Sequence, residues 1–157
     1  MRCIVTTAQQ ILARTGMSVQ VGLYRGNGAV SCDNQAGERQ PLVVRIIPGG
    51  AKTMSNVRSE RLGQSYVEHD GGIVASVFLA GARKQAAAAN VPWITVLSYA
   101  AAHEVGHLLL GDRAHASRGV MRAQWNRNDY MAMSQNQFDF SSEQSKILAR
   151  RCGHTGH

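Results

Sequence analysis

The residues whose types and spacing can do chemistry lie at 103–107, which read His-Glu-Val-Gly-His. On an α-helix, His103 and His107 lie on one face, one turn apart. Two neutral imidazoles in that arrangement can bind one divalent metal ion, and nitrogen ligands suit zinc. Glu104 lies beside them, where a carboxylate that is not a ligand can take a proton from a metal-activated water. The pattern therefore predicts a catalytic zinc site, and a buried helix with two hydrogen-bonded histidines is the alternative.

The segment around the motif predicts the helix that positions it. Asn90 suits an N-cap, Pro92 suits the first turn, and Gly111 suits a left-handed position that ends the helix. The helix of about 19 residues between them is apolar on nearly every side, which is typical of burial inside a domain. A buried helix needs partners for the histidines and glutamate that it carries, and a metal ion supplies one.

A catalytic zinc site needs a third protein ligand. His115 is the first choice, because a chain that turns at the glycine can bring it back to the metal. Asp112 is an alternative close to the helix end, and Glu143 is an alternative on a later helix. The stretch around Glu143 also fits a helix N-terminus, since Ser141 and Gln144 have the spacing of a capping box.

The string from 103 to 125, with its glycine, third histidine and Gly-Val-Met segment, resembles the metzincin branch of zinc metallopeptidases. It is also similar to a group of small bacterial zincin-like proteins, and this resemblance covers 23 residues. The usual metzincin pattern has intervals of three residues from the second histidine to the glycine and from the glycine to the third histidine. Both intervals are four residues here, so Leu110 occupies the position expected for the glycine and Arg113 the position expected for the third histidine.

The resemblance implies roles for further residues. Gly111 would end the active-site helix, and Met121 would be the turn methionine that packs beneath the metal without ligating it. Tyr130 is a candidate partner for the oxyanion, although a tyrosine packed in a loop is the alternative. The implied activity is hydrolysis of peptide bonds in a peptide or protein substrate, with one Zn²⁺ ion and with Glu104 as general base.

The resemblance also implies a fold: an α+β zincin-like domain in which a small twisted mixed sheet packs on the active-site helix, followed by a C-terminal helix. In such enzymes the last strand before the active-site helix forms the rim of the cleft and binds an extended peptide. That strand would run from 72 to 79, so the candidate substrate-binding residues are Gly72, Ile73, Val74 and Ala75. A plain edge strand is the alternative. A first strand and a signal peptide usually precede this fold, and we expect that both are missing because the assigned start lies too far downstream; a cytosolic protein that lacks the first strand is the alternative. The resemblance suggests a secreted or periplasmic protein.

Hydrophobic periodicity and turn residues predict the other elements. They predict a helix at 4–15, strands at 17–23, 42–47 and 72–79, a loop at 25–41, an irregular segment between the His115 loop and the last helix, and a helix at 142–151. Residues 65–67 are predicted to pair with the third strand.

Composition limits the class of protein. A chain of 157 residues that is 44% hydrophobic predicts one domain spanning 1–157, and we expect a monomer. The net charge of +7 comes from scattered basic residues, and only 6% of residues are aromatic, so nucleic-acid binding is not predicted. No apolar run is long enough to span a membrane. The three cysteines allow either one disulfide with a free thiol or three thiols.

Two other functions fit the sequence less well. The chain could be a catalytically inactive zincin-like domain that binds zinc and serves as an interaction module. It could also be a basic binding protein that uses no metal.

Overall fold

A computed structural model describes residues 2–17, 19–24, 27–33, 39–49, 61–66 and 74–152. They form a mixed α+β arrangement around one sheet. In chain order the elements are α1 (Arg2–Ala13), β1 (Val19–Tyr24), β2 (Asn27–Asp33), β3 (Arg39–Ile47), β4 (Gly63–Tyr66), β5 (Val74–Phe78), α2 (Leu79–Ala89), α3 (Trp93–Leu110), α4 (Arg127–Ser134) and α5 (Ser142–Cys152).

The sheet is mixed, with the strand order β1-β2-β3-β5-β4. The pairs β1–β2 and β2–β3 are antiparallel, β3–β5 is parallel, and β4 lies antiparallel to β5 at one edge. Alternate residues of a strand share one face of a sheet. Ala75 and Val77 of β5 are fully buried, and β5 contacts α3. The sheet therefore packs its β5 region on the helix that carries the histidine motif.

Helix α3 lies in the core because nearly all of its faces are apolar. Its buried residues include Val96, Leu97, Tyr99 and Val105. It contacts α1, α2, α4 and α5 as well as the sheet, which confirms the predicted burial of this helix. Among the described residues, no helix is long and apolar enough to cross a membrane.

The beginning of α3 differs from the prediction. Asn90 has φ 57° and is the C-cap of α2, while Pro92 is the N-cap of α3. The sequence prediction missed α2, whose alanine-rich stretch follows β5 directly, so Leu79 belongs to a helix and not to the third strand. Alanine favours helix strongly, and an asparagine tolerates the left-handed conformation that ends it.

The predicted loop at 25–41 is wrong. Strand β2 and the start of β3 lie within it, and β2 pairs with a strand on each side. Those two neighbours supply backbone hydrogen bonds that a glycine- and asparagine-rich composition does not indicate. The predicted pairing of Ser65 and Tyr66 with the third strand is confirmed, whereas Val67 lies outside the described residues.

The predicted rim strand does not lie at the edge of the sheet. Val74 pairs with Val43 on one side and with Tyr66 on the other, and Ala75 pairs likewise on both sides. A strand with both neighbours in place has no free backbone edge for an added peptide. Gly72 and Ile73 lie outside the described residues. The edge strand nearest the histidine motif is β4.

The C-terminal third is more regular than predicted. Helix α4 lies inside the predicted irregular segment, and Asn126 and Asp129 form a capping box at its N-terminus. The predicted final helix is confirmed as α5, with reciprocal bonds between Ser141 and Gln144. Cys152 of α5 is buried and disulfide-bonded, whereas Cys3 is exposed and free.

Candidate metal centre

Three histidine side chains converge at the C-terminal half of α3. The Nε2 atom of His107 lies 3.1 Å from Nε2 of His103 and 3.0 Å from Nε2 of His115. One nitrogen of each ring falls within 4.8 Å of the others. Four-coordinate zinc with Zn–N bonds of about 2.0–2.1 Å separates its nitrogen ligands by roughly 3.3 Å. The three histidines can therefore bind one metal ion.

The opposite ring nitrogens have backbone acceptors. The Nδ1–H of His103 donates to the carbonyl oxygen of Val120 at 2.7 Å, and that of His107 donates to Gly111 at 3.1 Å. A carbonyl oxygen only accepts, so these contacts place the ring proton on Nδ1 and leave the Nε2 lone pair bare. Bare lone pairs that face one another at about 3 Å repel unless a cation lies between them. This tautomer is the one that metal-ligating histidines commonly adopt.

Burial keeps two of the rings neutral. Desolvation lowers the pKa of His103 to about 4, although its bond to Val120 acts in the opposite direction. Desolvation also lowers the pKa of His107. Only a neutral imidazole has a lone pair to offer a metal, so both rings are in the ligand form at pH 7.

The loop after α3 carries His115 to the other two histidines. Gly111 ends α3 as predicted, but its φ of 100° and ψ of 170° are not left-handed helical values. Its carbonyl oxygen instead accepts the bond from His107. On either side of His115, the amide of Ala116 donates to Met121 at 2.9 Å and the carbonyl of Ala114 accepts from Gln144 at 3.0 Å.

The alternative third ligands lie apart from this cluster. Among the described residues, the group of His, Cys, Asp and Glu side chains that can hold a metal contains only the three histidines. Asp112 is exposed and borders the same cavity. Glu143 is exposed in the first turn of α5, where a carboxylate favours the helix dipole.

The segment that orients His103 is anchored to the irregular stretch before α5. Gly119 has φ 76°, and its α-carbon lies against the carbonyl oxygen of Asp139, leaving no room for a side chain. That carbonyl accepts from the amide of Val120 at 3.0 Å. The carbonyl of Val120 then accepts from His103 and also from the indole of Trp125, which lies 3.2 Å away. Because Gly119 has no side chain, the backbone can approach Asp139 closely, and this approach orients the carbonyl of Val120 toward the ring of His103.

Met121 is fully buried and contacts α3 at Gly106. A side chain at Gly106 would collide with its sulfur atom, so the methionine packs against the helix between the two motif histidines. This placement is compatible with the role that the metzincin resemblance implies for Met121.

Glu104 faces the edge strand β4. It is 6% exposed, and the α-carbon of Gly63 is so close that a Cβ there would lie 2.5 Å from the carboxylate Oε1. Burial raises the pKa of Glu104 to about 7, while a hydrogen bond from Ser65 and the charge of Arg61 act to lower it. The sequence prediction placed Ser65 in a strand but did not place Arg61, Gly63 or Ser65 at the site, because no local pattern shows which strand lies over the helix.

The histidines and Glu104 open into a cavity of about 1000 Å³. One part of its lining, which we call the strand wall, consists of residues 61–65, and another part, the loop wall, consists of residues 122–125 and 127. Tyr130 also lines the cavity, and its hydroxyl donates to Oε1 of Gln85. Burial, and to a lesser extent Asp129, raises the pKa of Tyr130 to about 12, so its hydroxyl keeps its proton.

Comparison of the chain with protein-family models, with curated proteins and with solved structures finds no match. The interpretation of the site therefore depends on its own geometry and on the motif at 103–125.

Proposed function

We propose that this protein is a zinc-dependent metallopeptidase that hydrolyses peptide bonds in the cleft between β4 and the loop after α3. The observation that carries the proposal is that Nε2 of His103 and Nε2 of His115 lie 3.1 Å and 3.0 Å from Nε2 of His107, with two of the rings oriented by hydrogen bonds from Nδ1 to backbone carbonyls. His103, His107 and His115 would hold the ion. Three nitrogen ligands leave one position of a tetrahedral zinc open, which is the arrangement of catalytic zinc sites.

A bound zinc ion would supply Lewis acidity to a water molecule and to the carbonyl of the bond to be cleaved. Zinc is favoured over harder cations because all three donors are imidazoles, whereas magnesium and calcium prefer oxygen donors.

Glu104 supplies the proton transfers. It adjoins His103 in the sequence, lines the same cavity and is buried with only one face toward the cleft. A pKa near 7 suits a general base that works near neutral pH, because the group can accept a proton and release it again. We propose that Glu104 takes a proton from the attacking water and passes it to the leaving amine.

The cleft can accommodate an extended peptide. β4, which contacts Glu104 through Gly63, pairs only with β5 among the described strands, so its other backbone edge has no partner among them. Main-chain hydrogen bonds from such an edge can bind a substrate backbone irrespective of its sequence. Tyr130, which also lines the cavity, keeps the proposed role of an oxyanion partner, which requires its hydroxyl to leave Gln85.

Two measurements test the proposal. Metal analysis of the purified protein should find one zinc ion per chain, and cleavage of a broad peptide library should stop when the zinc is removed and resume when it is restored. The Glu104→Gln variant should keep the zinc and lose hydrolysis by a factor of roughly 10² or more. Wild-type protein that binds zinc stoichiometrically but cleaves no peptide would instead support a zinc-binding interaction domain.

A further inference from the structure

The loop wall of the cleft carries two basic side chains that the proposed hydrolysis does not use, those of Arg122 and Arg127. Arg61 on the strand wall acts on the pKa of Glu104. Among the described residues, the acidic ones that line the same cavity are Glu104, which belongs to the proposed catalytic machinery, and Asp112 beside the end of α3. The described part of the lining therefore has more positive than negative charge before any metal is added.

Internal pairing does not account for the charges of Arg122 and Arg127. A carboxylate oxygen of Asp129 accepts from Arg122 at 3.1 Å, but the same oxygen also caps the backbone of α4 at Asn126. A guanidinium has five N–H donors, so this single contact leaves most of the donors of Arg122 available. Arg127 is exposed and makes no ion pair with another residue in the part of the chain that the structure describes.

Helix stability does not explain Arg127 either. It is the first residue of α4, where the helix dipole places partial positive charge, and a cation there is unfavourable. Asp129 in the same turn has the favourable charge. A guanidinium that neither pairs with a neighbour nor helps its helix, and that borders a cavity, is available to a ligand.

The chemistry of the guanidinium groups indicates which chemical groups that ligand carries. Guanidinium groups bind carboxylates through two parallel hydrogen bonds, and such bonds strengthen where a cleft excludes part of the water. Arg122 and Arg127 both border the cavity, so they can reach acidic side chains of a peptide that enters it. The edge of β4 that pairs with no other described strand favours a peptide backbone over other polyanions.

We propose that the cleft selects an acidic peptide, whose Asp or Glu side chains near the cleaved bond pair with Arg127 and Arg122 on the loop wall. This proposal rests on the proposed function, because it assumes that a bond of the peptide is cleaved. The recognition of the acidic side chains, however, requires binding alone. The net charge of +7 for the whole chain acts in the same direction, since it attracts acidic chains to the protein.

The test uses labelled peptides that are identical except for the residues around one central bond: Asp and Glu in one, Asn and Gln in the second, Lys in the third. Binding is measured to zinc-loaded Glu104→Gln protein, and cleavage is measured with wild type. We expect the acidic peptide to bind about tenfold or more tighter than its amide counterpart at low salt, and the difference to shrink as salt increases.

Arg127→Gln should remove most of the preference for the acidic peptide. Arg127→Lys should restore part of it, because a lysine retains the positive charge but lacks the paired N–H donors of a guanidinium. Arg118→Gln is the matched control. Arg118 is exposed in the same loop and does not line the cavity, so the variant has the same net charge and should retain the preference.

The outcomes separate the two proposals. Cleavage without preference for the acidic peptide would overturn acidic recognition and leave the peptidase intact. Tight, charge-dependent binding without any cleavage would support acidic recognition and overturn the peptidase. Equal loss of preference in Arg118→Gln, or displacement of the acidic peptide by an equally charged single-stranded oligonucleotide at the same concentration, would also overturn selection by this cleft.

Discussion

Gly63 in β4 and Glu104 in α3 are in such close contact that the glycine has no room for a methyl group on the side facing the carboxylate. A Cβ at Gly63 would lie 2.5 Å from Oε1 and 2.6 Å from Cγ of Glu104. The edge strand therefore fixes where the carboxylate of the proposed general base can lie. Ser65, two residues further along β4, adds a hydrogen bond to the same group.

Gly63→Ala should displace the Glu104 carboxylate while leaving the three histidines in place. We expect zinc stoichiometry to stay at one and hydrolysis to fall by roughly 10- to 100-fold, because a displacement of about 1 Å of a catalytic group has costs of that order. The measurement is kcat/KM on one peptide together with metal content.

Gly49→Ala is the control for that variant. A Cβ at Gly49 would meet nothing within 4 Å, so this substitution adds the same methyl group without a contact. If both variants lose activity equally, the contact between β4 and Glu104 has no special role.

His115→Ala should abolish zinc binding at micromolar metal, as should His103→Ala and His107→Ala, because two imidazoles alone make an incomplete site. Asp112→Ala and Glu143→Ala should retain one zinc ion per chain. Metal content after dialysis against a weak chelator distinguishes these cases. Zinc loss in Glu143→Ala together with zinc retention in His115→Ala would reverse the assignment of the third ligand.

Arg14 of the segment after α1 should affect the metal site from a distance. Its Nη2 donates to the carbonyl of Phe138 at 3.2 Å and its Nε contacts Asp139 at 2.5 Å. Asp139 in turn holds the backbone of Val120, whose carbonyl orients His103. Arg14 is therefore a positioning residue.

Arg14→Met should lower the free energy of unfolding by roughly 1–3 kcal/mol and weaken zinc binding by about tenfold. With Co²⁺ in place of zinc, the visible absorption spectrum should change, which a purely global loss of stability would not cause. Arg45→Met, on an exposed position of β3, should leave both metal affinity and spectrum unchanged. An unchanged cobalt spectrum in Arg14→Met would contradict the positioning role.

The buried Glu104 should give the metal-free protein a distinct pH dependence. Burial raises its pKa from 4.5 to about 7, so the folded protein binds this proton more tightly than the unfolded chain does. The stability that results is complete below about pH 4.5 and is lost as the pH rises through 7. Glu104→Gln removes this titration.

Between pH 5 and pH 8 the free energy of unfolding of Glu104→Gln should therefore rise relative to wild type, by on the order of 2 kcal/mol. Urea unfolding of both metal-free proteins measures the difference. His103, whose pKa burial lowers to about 4, titrates in both proteins, so its contribution cancels. A difference that stays constant across this range would show that Glu104 titrates normally.

The sequence was informative where structure is local. The i, i+4 spacing of His103 and His107 was sufficient to place both on one helix face, and the Ser141–Gln144 capping box marked the beginning of α5. The capping box of Asn126 and Asp129 was an equally local signal, and the prediction overlooked it.

The position of β4 could not be predicted in this way. Which strand lies at the edge of the sheet depends on pairings between distant segments, such as Ser65 with Ala75 and Val44 with Ala75. Hydrophobic alternation marks a strand but does not name its neighbours. The prediction consequently placed the rim at 72–75, one strand away from the residues that contact Glu104.

Gln144 connects the stability of one helix to the loop of a metal ligand. Its Oε1 accepts from the amide of Ser141 at the start of α5, and its Nε2 donates to the carbonyl of Ala114 next to His115. The first turn of α5 cannot fray without releasing that carbonyl. Thermodynamic linkage then requires that a metal ion held by His115 also slows amide hydrogen exchange in this turn, although α5 contributes no ligand. The exchange rate of the amide of Gln144, which donates to Ser141, thus reports occupancy of the histidine cluster from outside it.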